Sequence, residues 1–455
     1  MTFEQYLEES QARHLDELFA LLRIPSISAL EENRSDCVHA ASWLAERMKQ
    51  AGLEHVQVYP TAGHPLVYGD WLHNPDAPTV LIYGHYDVQP VDPLHLWRSE
   101  PFEPQVRNER IWARGVSDDK GQLFLHIRAI EALLQTEGKL PVNVKVLFEG
   151  EEEIGSPHLG PFISEHAAQL AADLLVVSDT GMAATGVPTI CCGLRGICAL
   201  EVRLTCANTD CHSGLFGGAV PNALHALTAL LAKLHDERNK VAVPGFYDSV
   251  KELSAAQRKQ LAAVAFDETE LLRRLELSAF AGEEGYTVKE RISIRPTLEL
   301  NGLWGGFLGE GSKTVIPAQA FAKISCRLVP DQDPQQIAQL VASHLQRLCP
   351  PYARLEVEIG HGGRPYVCDP DTPEVQAISK ALSATFGQPV AMERMGGSIP
   401  IVDTFVTVLQ APVILMGFAP PDANAHAPNE SMELSTWRLA SRAICRAWYE
   451  LAKSA

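Results

Sequence analysis

Apolar runs too short to be helices recur along this chain of 455 residues, and stretches with helical periodicity separate them. The clearest are "TVLIYGHYD" (79–87), "VNVKVLFEGEEE" (142–153), "DLLVVSDT" (173–180) and "PVILMGF" (412–418). A continuous apolar run of about four to eight residues is the pattern of a strand buried on both faces. Such strands alternating with helices predict an α/β layer architecture with a mostly parallel central sheet. The helices have their own signals. Thr2 and Gln5 form a capping box opening a helix that stops near Pro25, and "CVHAASWLAERMKQAG" ends at Gly52, a C-cap. Further helices are expected at about 120–136, near 160–170 and from Ser435 onward.

The texture changes near residue 190. "ICALEVRLTCA" alternates apolar and polar side chains, as a half-exposed antiparallel strand does. The helices "NALHALTALLAKLHDER" and "PQQIAQLVASHLQRL" and the strands "AQAFAKISCRLVP" and "ARLEVEIG" complete an α+β pattern. After about residue 370 the α/β texture returns. The expected organisation is one α/β domain, 1–190 and 371–455, interrupted by an inserted α+β domain, 191–370.

The formal net charge of −18 argues against DNA, RNA and anionic membranes as partners, whose affinity rests on neutralising phosphate. No stretch approaches the ~18 apolar residues of a membrane span. The charged start "MTFEQYLEESQARHLDELF" has no signal-peptide core, so a cytoplasmic protein is expected. Ten scattered cysteines without a Cys-x-x-Cys pair fit free thiols in a reducing compartment.

In a parallel α/β sheet, ligands bind beyond the carboxyl ends of the strands. The residues found there are unusually polar. His85 and Asp87 follow one run, Asp118 and Asp119 follow "WARGVS", Glu151, Glu152 and Glu153 follow another, then come Asp179 and His426. Singly, each has an ordinary reading: a strand-end Asp caps a helix, a Glu triplet is a solvated charge run, a His is structural. Together, so many converging carboxylates would raise each other's pKa values unless a cation lay between them. A mixed imidazole and carboxylate set suits zinc or manganese, and is large enough for two ions with one bridging carboxylate. Residues two apart in extended chain point to one side, so Asp87 can orient His85 through its second ring nitrogen. Of Glu152 and Glu153, one carboxylate can bind metal while its neighbour takes a proton from water.

The motifs "GHYDVQP", "ARGVSDDKGQ", "FEGEEEIGS", "VVSDT", "DCHSGLFGG", "KTVIPAQAFAKISCRLVP", "GHGGRPY", "MGGSIP" and "NAHAPNE" resemble, in order, those of the dinuclear-zinc exopeptidases. That family contains cytosolic non-specific dipeptidases, carnosinases, carboxypeptidase G and acetylornithine deacetylase. The resemblance is closest to the dipeptidase and carnosinase branch. It implies a metallo-dipeptidase that hydrolyses dipeptides or short substrates with a free C-terminal carboxylate. It also implies two divalent ions per subunit, zinc or alternatively manganese. His85, Asp118 and Asp179 would hold one, and Asp118, Glu153 and His426 the other. Glu152 would be the general base acting on a water shared by the ions, and Asp87 the orienter of His85. A cis peptide is implied after Asp118. The insert becomes a dimerisation or lid domain, the protein a homodimer, and His212 a residue that completes the partner's active site in trans. Arg327 would clamp the substrate carboxylate, and Thr314, His361 and Ser398 would contact substrate. The competing readings are an N-acyl or N-carbamoyl amino acid amidohydrolase of the same fold, and a non-catalytic binding homologue.

Overall fold

The apolar runs form the centre of a nine-stranded sheet. In a computed structural model of the chain, Asn143–Glu149, Thr79–His85, Leu174–Val177 and Val413–Gly417 lie side by side in that order, all parallel. The structure describes every residue except Ala265, Pro400 and Ala455, and every side chain in its helices and strands except those of Ala256, Gln260, Ala263, His361 and Ser454. The chain forms two units: Met1–Cys192 with Cys368–Glu393 and Thr404–Ala455, and Gly193–Val367 with Arg394–Asp403. Among the described residues no helix is long and apolar enough to cross a membrane.

In the first unit the parallel centre carries antiparallel flanks. Leu66–Trp71 pairs with Asn143–Glu149 on one side, and Thr189–Leu194 with Val413–Gly417 on the other. Leu66–Trp71 is buried throughout although it contains Asp70, which breaks the apolar pattern. The Asp70 carboxylate accepts from Tyr68 Oη (2.8 Å) and pairs with His55 Nδ1 (2.7 Å), so burial leaves it satisfied.

The helix Lys120–Glu137 packs against Thr79–His85 and against the C-terminal helix Leu434–Ser454. Every residue from Lys120 to Leu133 is buried. A Cβ at Gly121 would lie 1.8 Å from the Val116 carbonyl oxygen, so only glycine lets the preceding loop fold tightly onto the helix start. The Lys120 ammonium is buried and donates to the carbonyls of Leu21 (3.3 Å) and Ile24 (2.6 Å).

The expected N-terminal capping box is present, but the helix breaks at Ser10 into Phe3–Glu9 and Gln11–Leu22. The break lets Tyr6 from one helix and Arg13 and His14 from the other converge on Glu131. Arg47, buried beside them, pairs with Glu131 and with Glu17. One buried carboxylate thus ties three helices to its own.

The second unit is a four-stranded antiparallel sheet in the order Thr297–Gly305, Gln319–Leu328, Gly196–Thr205, Arg354–Gly363. Its strands alternate as the sequence suggests: Leu200, Val202 and Leu204 face a core, while Glu201 and Arg203 are exposed. The helices Ala223–Leu231 and Pro334–Leu348 supply the rest of that core.

Glu131 gives a test of the first unit's packing. Burial raises its pKa, but His14, Arg47 and Arg13 outweigh that and hold the carboxyl down at about 2. Glu131→Gln should destabilise the protein by ~3–5 kcal/mol in urea denaturation, because it takes a charge partner from the buried Arg47 guanidinium. A carboxyl depressed on folding stabilises above its unfolded pKa of ~4.3. The wild-type advantage over Glu131→Gln should therefore be full above that value and shrink as pH falls towards about 2.

Candidate metal centre

Parallel pairing brings three strand ends to one rim of the first unit. His85 is the last residue of its strand and lies opposite Glu149, from which the chain runs on to Glu151–Glu153. Asp179 follows Leu174–Val177 by two residues. Asp118 sits in the tight loop before Lys120–Glu137, and the Asp118–Asp119 peptide is cis. His426 follows Val413–Gly417 in a turn where it adopts a left-handed φ of 59°, a conformation rare for a non-glycine residue.

Two groups of three donor atoms result, His85 with Asp118 and Asp179, and Asp118 with Glu153 and His426. Within each group the atoms lie within 4.8 Å of one another. Asp118 divides its carboxylate between them. Its Oδ1 is 3.1 Å from His85 Nε2, and its Oδ2 is 2.9 Å from His426 Nε2. Asp179 Oδ1 is 3.7 Å from His85 Nε2, and Glu153 Oε2 is 3.2 Å from His426 Nε2. His85 is fully buried, yet its Nε2 is aligned for a hydrogen bond with none of the described residues. A buried imidazole nitrogen aimed at two carboxylates without a hydrogen bond is what a metal ligand requires, so the residues fit a divalent ion.

The electrostatics agree. Burial pushes Asp179 up to about 6 and raises Glu152 well above the ordinary carboxylate range. For Glu152 the charges of Asp179 and Glu153 add to burial and outweigh the lowering by His85. Burial acts on Asp118 in the same sense, but His426 and His85 prevail and hold it far below the usual range. Asp118 and Glu153 in turn lift His426 up to about 10. Carboxylates this close cannot all ionise without compensating positive charge.

A second layer holds these ligands. His85 Nδ1 donates to the main-chain oxygen of Asp87 (3.1 Å), and the Asp87 carboxylate lies slightly farther away (3.4 Å). That carboxylate instead accepts from the N–H groups of Glu152 (3.2 Å) and Glu153 (3.1 Å). Asp87 therefore couples the ring of His85 to the turn bearing both glutamates. Gln89 Nε2 donates to Glu153 Oε2 (2.7 Å), and Asp119 Oδ2 accepts from the His85 N–H (3.2 Å).

Glu430 escaped the sequence reading. Fully buried, it accepts from Arg114 Nη1 (2.9 Å) and from the N–H groups of Gly115 (2.8 Å), Ser117 (2.8 Å) and Asp118 (3.1 Å). One carboxylate thus folds the loop that presents Asp118. The available signal was its place four residues after His426 in "NAHAPNE".

A third group, His14, Glu17 and Glu131, has metal-like spacing. The guanidinium groups of Arg13 and Arg47 already occupy its carboxylates, so it carries no cation site.

The remaining sequence candidates lie in the second unit. His212 is exposed and closes the strand Cys211–His212, and its Nδ1 accepts from the Gly214 N–H (2.9 Å). Thr314 lies beside it, its carbonyl accepting from the Ser213 N–H (3.0 Å). Arg327 is half-buried, and its Nη1 donates to Ser398 Oγ (2.8 Å). The backbone of His361 belongs to the strand Arg354–Gly363, but its side chain lies outside the described residues.

The family model described as peptidase family M20/M25/M40 matches residues 81–450. The Cys-Gly metallodipeptidase of Candida albicans is 31% identical over 457 residues, covering 95% of this chain and 93% of that protein. The human Beta-Ala-His dipeptidase is 30% identical over 373 residues, covering 81% of this chain and 74% of that protein. A solved M20 family metallo-carboxypeptidase from Sulfolobus solfataricus is 33% identical, with a TM-score of 0.87 over 96% of this chain and 99% of that one.

Glu430→Gln keeps the shape of the buried side chain but removes the charge and one acceptor. It should weaken divalent-ion affinity by ~10–100-fold in a chelator competition while the far-UV spectrum stays native. Undiminished affinity would show that the loop holds Asp118 without it.

Proposed function

We propose that this chain, which belongs to peptidase family M20/M25/M40, is a metal-dependent dipeptidase. It hydrolyses the amide bond of dipeptides or similarly short substrates that end in a free carboxylate. The observation that carries this reading is the pair of three-residue groups sharing Asp118, with the half-buried Glu152 beside them.

His85, Asp118 and Asp179 would hold one divalent ion and Asp118, Glu153 and His426 a second. Bound there, the ions supply Lewis-acid polarisation of the scissile carbonyl and acidify water. Zinc suits this donor set, and manganese is the alternative. Glu152 takes the proton of the attacking water. The Asp87 carboxylate, accepting from its N–H, fixes its backbone beside the ligands. Glu152 then returns the proton to the leaving amine.

His212 acts from the partner subunit of a homodimer formed by the inserted domain. Because its Nδ1 accepts from the Gly214 N–H, the neutral ring carries its proton on Nε2. That nitrogen is therefore a donor for the oxyanion of the substrate. Arg327 offers a planar fork to the substrate's terminal carboxylate, with Thr314, His361 and Ser398 around the substrate. Ten cysteines scattered without a Cys-x-x-Cys pair support a reducing, cytoplasmic location.

The relatives' names point to Cys-Gly and β-Ala-His as first substrates. A panel of these with tripeptides and N-acetyl amino acids, run with zinc and with manganese, separates a dipeptidase from a carboxypeptidase or a deacylase. Dipeptides should be turned over fastest. A preference for N-acetyl amino acids would overturn the reading. Glu152→Gln should lower kcat by at least ~10³-fold with two ions per subunit retained. Mixing inactive Glu152→Ala and His212→Ala proteins should restore activity through hybrid dimers. No recovery after demonstrated subunit exchange would remove His212 from the partner's site.

A further inference from the structure

Two guanidinium groups of the second unit stand near each other with little negative charge to balance them. Burial, and then the charge of Arg327, push Arg195 down to about 10, and only Glu299 acts in the opposite sense. Burial alone lowers Arg327. Among the described residues neither forms an ion pair, and Arg327 spends one N–H on Ser398 and leaves the rest of its fork unbonded. Such a fork is ready for an anion.

Arg195 is bound to the segment that carries Ser398 by three hydrogen bonds. Its N–H donates to the Gly397 carbonyl (3.1 Å), its Nε donates to the Gly396 carbonyl (2.9 Å), and its own carbonyl accepts from Ser398 Oγ (2.5 Å). Its Nη1 reaches the carbonyls of Arg295 (3.2 Å) and Arg291 (3.4 Å), at the end of the helix Val288–Ser293. Gly396 is required for this approach, because a Cβ there would lie 2.1 Å from the Ile292 carbonyl and 2.9 Å from Arg195 Nη2.

The hydrogen bonds also fix the direction of the Ser398 hydroxyl. It has one proton, which goes to the Arg195 carbonyl, and a lone pair accepts from Arg327 Nη1. No proton is left for a substrate carboxylate. Ser398 therefore acts on the substrate through Arg327.

We propose that Arg195 is the positioning residue of the carboxylate clamp. It holds Gly396–Ser398 in place, Ser398 relays that position, and Arg327 is thereby aimed at the substrate's terminal carboxylate. Arg195 itself touches no substrate, and its contribution is selectivity for a free C-terminus. The proposal rests on the reading of Arg327 as the carboxylate clamp, and the test separates the two.

The measurement compares kcat and KM of the metal-loaded enzyme for a dipeptide and for the C-terminal amide of the same dipeptide. Arg327→Ala tests the underlying reading, and must reduce the preference for the free carboxylate. If it does not, the clamp itself is wrong. With that established, Arg195→Met should raise KM for the dipeptide by about tenfold or more, with kcat within about threefold, and should collapse the preference over the amide. Adding Arg195→Met to Arg327→Ala should cause little further loss, since both act through one group. Arg195→Lys retains the charge but not the fork, and should recover only part of the preference. An equal loss on dipeptide and amide, or a loss confined to kcat, would overturn the proposal and leave Arg195 a structural residue. Should Arg195→Met fail to fold, Ser398→Ala cuts the same relay with Arg195 intact. It must then show the same KM-only loss, and a preference equal to wild type would equally overturn the proposal.

Discussion

The first unit depends on how one carboxylate is shared. Asp118 turns one oxygen to His85 and the other to His426, and three more carboxylates crowd the same rim. In a buried setting that crowding is unfavourable unless positive charge neutralises it. The surrounding residues keep the arrangement from relaxing. Glu430 gathers the N–H groups before Asp118, Gly121 lets the loop sit against its helix, and Asp87 joins His85 to the glutamate turn. The parallel strands supply the rigid frame that these side chains share.

The second unit solves a different problem, that of keeping a cation available. A guanidinium on a sheet normally finds a carboxylate. Arg327 is bonded to a hydroxyl, and the neighbouring Arg195 is bonded to main-chain oxygens. Neutral partners hold the side chains in place without cancelling their charge. An incoming carboxylate would then meet a fork already oriented, so little ordering entropy opposes binding.

Much of this was legible in the sequence because it is local. Strands announce themselves by apolar runs, and the polar residues that end them, His85, Asp179 and Glu152–Glu153, are visible at once. The alternation of Gly196–Thr205 likewise declares a one-faced sheet. The family motifs extended that reading to roles that no periodicity conveys. What escaped rests on contacts distant in sequence or on main-chain partners. Glu430 bonds to residues more than 300 positions away, and Arg195 to a segment about 200 positions away. Neither has a pattern of its own. Leu66–Trp71 was hidden by Asp70, whose partners Tyr68 and His55 make its burial tolerable. The break at Ser10 lets two helices reach Glu131, a contact more than 100 positions away that a capping box cannot foretell. At Asp87 the residue was visible but its bonding was not, because its carboxylate serves two backbone N–H groups while its main-chain oxygen takes the ring N–H.

The central proposal is that His85, Asp118 and Asp179 would hold one divalent ion and Asp118, Glu153 and His426 a second. Anomalous X-ray scattering from crystals grown with zinc tests it most directly. The account predicts two peaks. One would lie among His85, Asp118 and Asp179, and the other among Asp118, Glu153 and His426. A single peak at saturating zinc, or two peaks of which only one contacts Asp118, would contradict it.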